Sequence, residues 1–175
     1  GRLGDGSDGD PTVQVLADAT TVARVSVPAM SVVDLDEAKA GAPVAAPVTV
    51  VTDDEGIVLD NGILRVVVDP ADGLLTSVRL ASAGGREVLA AGERGNLLQL
   101  HPDFPNEYDA WDLAEHYRRQ VTDLSMVDAV EVVDEGPLVA RVVVSRSFRS
   151  SRERQPYALR SGSVRLAEHT EIDWH

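Results

Sequence analysis

The chain contains no cysteine, which excludes disulfides, thiolate-held zinc and cysteine nucleophiles. Positive charge is also in short supply. Sixteen Lys and Arg against 29 Asp and Glu give a formal net charge of −13. A surface of that sign repels phosphate backbones and anionic lipid, so neither nucleic acid nor a membrane is expected as a partner. No apolar run approaches the roughly 18 residues that span a bilayer, and no secretory leader is legible. Internal repeats and a convincing amphipathic helix are missing too. Aromatics are scarce, with seven among 175 residues.

What remains is a Val-, Ala- and Leu-rich chain, 43% apolar, enough to bury a core. Residues 1–11 are mostly Gly and Asp and read as a flexible lead-in, since they have too little apolar surface to offset ordering. Residues 12–52 read as a small β segment and linker, with apolar stretches at Val13 to Leu16, Val22 to Val27 and Met30 to Val33. Asp34 to Lys39 suits one helical turn, and Gly41, Pro43 and Pro47 mark a boundary.

Residues 53–175 read as a large β domain. Asp60-Asn61-Gly62 between apolar runs signals a hairpin, because Asn and Gly both tolerate positive φ. Pro70-Ala71-Asp72-Gly73 is the next turn. Leu75 to Leu80 alternates as a half-buried strand does. Val121 to Val133 and Leu138 to Phe148 pair around Asp134-Glu135-Gly136-Pro137, with Arg146 interrupting the apolar side of the second strand. Arg149 to Arg154 reads as a charged tip, and Gln155 to Arg160 is poor in the apolar residues of a strand. The last run alternates: Val164, Leu166, Thr170, Ile172 and Trp174 on one side, with Trp174 assigned to the core. The expected class is all-β, a large antiparallel β-sandwich preceded by the small β segment. The chain opens without Met and stops at Trp174-His175 within a strand pattern, so it is read as a fragment truncated at its C-terminal end.

Chemistry concentrates between Gly92 and Asp112, which holds Phe104, Tyr108 and Trp111 beside Asp103, Glu107, Asp109 and Asp112. Rings next to carboxylates suit a sugar, whose C–H faces stack and whose hydroxyls donate. The plainer reading is a long loop whose rings plug the core. Gly92-Glu93-Arg94-Gly95-Asn96 lacks the Lys-Ser/Thr pair and the helix of a phosphate loop. His101-Pro102-Asp103 has a metal-ligand shape, with His116, Asp109 and Asp112 the nearby candidates for zinc. Asp103, Glu107, Asp109 and Asp112 match no calcium loop. Asp109 and Asp112 form no recognisable glycosidase pair, and Ser163 with His169 lacks a nucleophile elbow.

Several motifs share an order with one family. Leu59-Asp60-Asn61-Gly62-Ile63-Leu64-Arg65-Val66, Asp72-Gly73-Leu74-Leu75-Thr76-Ser77-Val78 and Gly95-Asn96-Leu97-Leu98-Gln99-Leu100 resemble the C-terminal β-domain of glycoside hydrolase family 38 α-mannosidases. So do Tyr108-Asp109-Ala110-Trp111-Asp112 and His169-Thr170-Glu171-Ile172-Asp173-Trp174-His175. The resemblance implies a galactose-mutarotase-like supersandwich from a retaining enzyme that hydrolyses terminal α-mannosides. In that family zinc and the two catalytic Asp residues lie in an upstream barrel and its helical neighbour. It therefore implies no catalytic residue, metal ligand or cofactor in this chain, with zinc in the parent's catalytic domain. The implied partners are an α-mannoside or oligosaccharide substrate and those upstream domains. Tyr108, Asp109, Trp111 and Asp112 are the expected substrate-binding residues. The rival reading is a non-catalytic carbohydrate-binding or structural β-sandwich module.

Overall fold

In the computed structural model, residues 12–40, 45–104, 107–108, 111 and 113–175 are described. The lead-in, residues 1–11, lies outside them.

Alternating Val, Leu and Ile build two antiparallel five-stranded sheets. Sheet I is a meander of β3 (Thr49–Asp53), β4 (Gly56–Asp60), β5 (Leu64–Val68), β6 (Leu75–Leu80) and β7 (Arg86–Glu87). Sheet II joins β10 (Ala129–Glu135), β11 (Val139–Phe148) and β12 (Ser151–Arg160), and both β13 (Leu166–Glu168) and β14 (Glu171–Asp173) pair with β12. Leu59, Leu64, Val66, Val68 and Leu75 from sheet I meet Ala140, Val142, Val144, Tyr157 and Leu159 from sheet II in one core. Each Val or Leu among them contributes about 1.5–3 kcal/mol on burial. The fold is the expected β-sandwich.

The sheets are also tied by polar groups. Asn61 is 1% exposed. Its side-chain oxygen accepts the Ile63 and Leu64 N–H, and its amide donates to the Arg160 and Ser163 carbonyls at 2.7 and 2.8 Å. The hairpin therefore turns where expected, but Gly62 alone takes positive φ (77°) and Asn61 acts as a clamp. On one side of the sandwich, the Val48 N–H donates to the Pro137 carbonyl at 2.9 Å. A Cβ on Gly136 (φ 106°) would stand 2.1 Å from the Val48 oxygen, so no larger residue fits.

Two short hairpins complete the architecture. The first, β1 (Val13–Val15) with β2 (Thr21–Ala23), packs Leu16 and Val22 against Leu138, Val139 and Ala158 on the outer face of sheet II. Gln14 secures it by accepting the Leu138 and Val139 N–H groups, both at 2.8 Å. The second, β8 (Gln99–Leu100) with β9 (Thr122–Asp123), carries the aromatic loop. The expected helical turn is present as α1 (Leu35–Ala40).

Three expectations require correction. Met30 to Val33 forms no strand: Met30 has φ 55°, and Ser31 Oγ donates to the Pro28 carbonyl, making a turn. Gln155 to Arg160 is the second half of β12, a ten-residue strand at the heart of sheet II. It reads as polar because its inward Gln155 is a fully buried polar side chain, held by Glu168 and Thr170. Arg146 does lie in the apolar face of β11, as expected, and is buried there on the core side at 1% exposure. Trp174 is 63% exposed and meets only the Phe148 edge, at 5.8 Å between ring centroids, so it is no core residue.

Candidate functional site

The β8–β9 ladder is two residue pairs long, yet it carries all of residues 101–121. Gln99 Nε2 donates to Asp123 Oδ1 at 2.8 Å and helps hold its base. Above the ladder, His101 and Tyr117 stack edge to face at 5.1 Å, and His101 Nδ1 lies 3.2 Å from the Tyr117 carbonyl. The Arg118 guanidinium sits 5.6 Å over the Tyr117 ring, a cation–π contact that stiffens the stem. A 3-10 turn, Glu115–Arg119, supplies the last two of these groups.

Beyond that stem the rings turn outward. Phe104 is 69% exposed, Tyr108 73% and Trp111 91%. They do not plug the core. Tyr108 adopts φ 57°, and the Trp111 N–H donates to the Tyr108 carbonyl at 2.8 Å. That turn brings two of the expected substrate-binding side chains onto one exposed tip. A bulky residue at positive φ is uncommon and costs free energy. Asp109 and Asp112 lie outside the described residues.

The remaining candidates disperse. Among the described residues no three His, Asp or Glu side chains converge as metal ligands. Asp103 is exposed, and His101 is engaged with Tyr117. Arg94 in the Gly92 to Asn96 turn is bound by Asp69 and Asp72, which fixes that loop to the neighbouring turn. The Ala71 N–H and then Arg94 hold the Asp69 carboxyl below its ordinary range, against the upward push of burial. Ser163 Oγ donates to the Arg165 carbonyl, while His169 faces Glu171 at 3.5 Å, so the two are not paired.

A polar cluster between the sheets escaped the sequence reading. Arg146 Nη1 donates to Glu153 Oε2 at 3.1 Å, and its Nη2 to the Asp72 carbonyl at 2.9 Å. Gln155 Nε2 donates to Glu168 and Thr170, both at 2.9 Å. The Tyr157 hydroxyl donates to the Gly73 carbonyl at 3.0 Å and contacts the Asn96 amide. Burial pushes the Tyr157 hydroxyl up to about 12, keeping it a neutral donor. The Glu168 carboxyl is also raised, first by lost solvation and then by the Glu153 charge. This cluster locks the loop at Asn96 and the turn at Gly73 onto β12. The signal for it was the inward period-two row Glu153, Gln155, Tyr157, Leu159.

Fold and loop geometry accord with the comparison to known sequences. Residues 59–175 match the family described as Glycosyl hydrolases family 38 C-terminal domain. The chain belongs to this family. It is 35% identical over 162 residues to Alpha-mannosidase 2C1 of Homo sapiens, covering 90% of this chain and 15% of that protein. It is 37% identical over 132 residues to Alpha-mannosidase 2C1 of Mus musculus, covering 74% of this chain and 12% of that protein. The chain thus spans a small part of the relatives it matches.

Proposed function

We propose that this family 38 domain serves a retaining α-mannosidase acting on terminal α-mannosides, supporting its fold and presenting the 101–121 loop to the sugar. The carrying observation is the exposure of Tyr108 and Trp111 on one turn, at the end of a stem stiffened by His101, Tyr117 and Arg118. Exposed rings are available to stack on the C–H face of a pyranose. Asp109 and Asp112, neighbours of those rings in sequence, would accept sugar hydroxyls. The nucleophile, the acid/base and zinc are assigned to upstream domains of the parent, a barrel and its helical neighbour. Zinc there would supply Lewis-acid and orienting chemistry. The described residues of this chain do not fit it, for lack of converging ligands.

The test is kcat/KM of Asp109→Ala and Asp112→Ala in the full-length parent. A charge-assisted hydrogen bond to a sugar hydroxyl contributes about 1.5–3 kcal/mol, so each loss should lower kcat/KM roughly ten- to a hundred-fold. Loss of a nucleophile would be far greater. Wild-type kinetics in both variants would remove the carboxylates from the site.

A further inference from the structure

The outer face of sheet II carries a cleft of 670 Å³ between the β1–β2 hairpin and the β13–β14 edge. In a chain of net charge −13 its walls are basic: Arg24, Arg141, Arg154 and Arg160 line it, against Asp18 and Glu171. Its floor is apolar, formed by Val139, Pro156, Ala158 and Ala167. The charges have different standing. Arg141 is neutralised by Asp18 at 2.8 Å and by Asp134. Glu171 faces His169 at 3.5 Å. The Arg24 guanidinium donates to the Ser161 carbonyl at 3.1 Å. Among the described residues, Arg24, Arg154 and Arg160 make no ion pair with a carboxylate, although Arg154 stands opposite Glu171 across the β12–β14 pairing.

We propose that this cleft docks an extended acidic segment of a partner polypeptide, apolar in its middle and acidic at both ends. The geometry selects that chemistry. Arg154 and Arg160 point outward from one strand, six residues apart, which places them roughly 20 Å apart at about 3.3 Å per residue. No single phosphate or carboxylate spans that gap, whereas a strand-like peptide of similar length does. Between the two arginines the outward positions are Pro156 and Ala158, which offer apolar contact and no charge. Arg24 joins Arg160 at one end through their shared neighbour Ser161. Guanidinium forks suit carboxylates bidentately, as lysine would not, and among this chain's basic residues Lys39 is the sole lysine. A second copy of the chain fits less well, because it would bring another −13 to the encounter.

The test is fluorescence anisotropy of the chain with a labelled peptide, Glu-Glu-Val-Pro-Val-Val-Glu-Glu. Its isomer Val-Val-Glu-Glu-Glu-Glu-Pro-Val, inorganic pyrophosphate as competitor, and sedimentation of the chain alone complete the experiment. Saturable binding of the first peptide is expected, at least tenfold tighter than the isomer. Arg154→Gln, which avoids setting a like charge opposite Glu171, and Arg160→Glu should each weaken it at least tenfold with melting temperature unchanged, since both side chains are exposed. Absence of saturable binding, equal binding of the isomers, or full displacement by equimolar pyrophosphate would overturn the proposal. So would wild-type affinity in either variant, or a dimer of the chain that those variants dissolve.

Discussion

Glu87 shows how one carboxylate can organise a loop. It accepts the Ser77 hydroxyl at 2.6 Å and the backbone N–H groups of Val78, Val88 and Leu89, and it pairs with Arg79 at 3.3 Å. Burial would raise this carboxyl, but the Ser77, Val78, Leu89 and Arg79 donors outweigh it and hold it at about 2. A depressed carboxylate contributes stability above its unfolded value of 4.5 and loses it as pH falls toward about 2. Glu87→Gln should therefore cost about 1 kcal/mol at pH 7, allowing for solvent screening of a partly exposed group. The same variant should flatten the stability profile between pH 4.5 and 2. Urea midpoints across that range check it, and a variant losing stability in parallel with the native chain would assign the acid dependence elsewhere.

At the scale of elements, the β11–β12 hairpin carries the main polar investment. Arg146 and Glu153 are cross-strand partners, buried on the core side at 1% and 3% exposure. Among the described residues, Arg146 Nε and Glu153 Oε1 have no hydrogen-bond partner. Removing one charge strands the other, so Glu153→Leu should cost about 3–5 kcal/mol. Removing both, as Arg146→Met with Glu153→Leu, should cost distinctly less than the sum of the single changes. Additive losses in a denaturation cycle would mean that the two charges are not coupled.

The same hairpin shows what was legible in the sequence. Turn chemistry placed the hairpins at Asn61-Gly62, Asp72-Gly73 and Gly136-Pro137, because Gly and Pro limit the backbone locally. Period-two patterning failed where registry shifts. A bulge between Val67 and Val68 leaves Thr76 unpaired, so Leu75 shares the core with Val78 and Leu80 despite its odd spacing. Patterning also failed on β12, whose inward Gln155 and Tyr157 are satisfied by Glu168, Thr170, Gly73 and Asn96, all outside the β11–β12 hairpin. Of the candidate site, the aromatic loop was legible from its composition. Its outward rings were not, because composition does not say whether Phe104, Tyr108 and Trp111 face the core or the solvent.

For the whole molecule, two sheets fix a scaffold from which a short ladder projects a long loop, and the loop carries the functional claim. The structure changes which residue probes it best. A buried Trp would cost stability whatever its role, but Trp111 is 91% exposed, so its removal separates function from folding. The most direct measurement is kcat/KM of Trp111→Ala in the full-length parent with an α-mannoside, taken beside its melting temperature. Losing apolar area covered by the sugar should lower kcat/KM about tenfold, corresponding to roughly 1.4 kcal/mol, with the melting temperature unchanged. Native kcat/KM at native stability would contradict a substrate-facing loop.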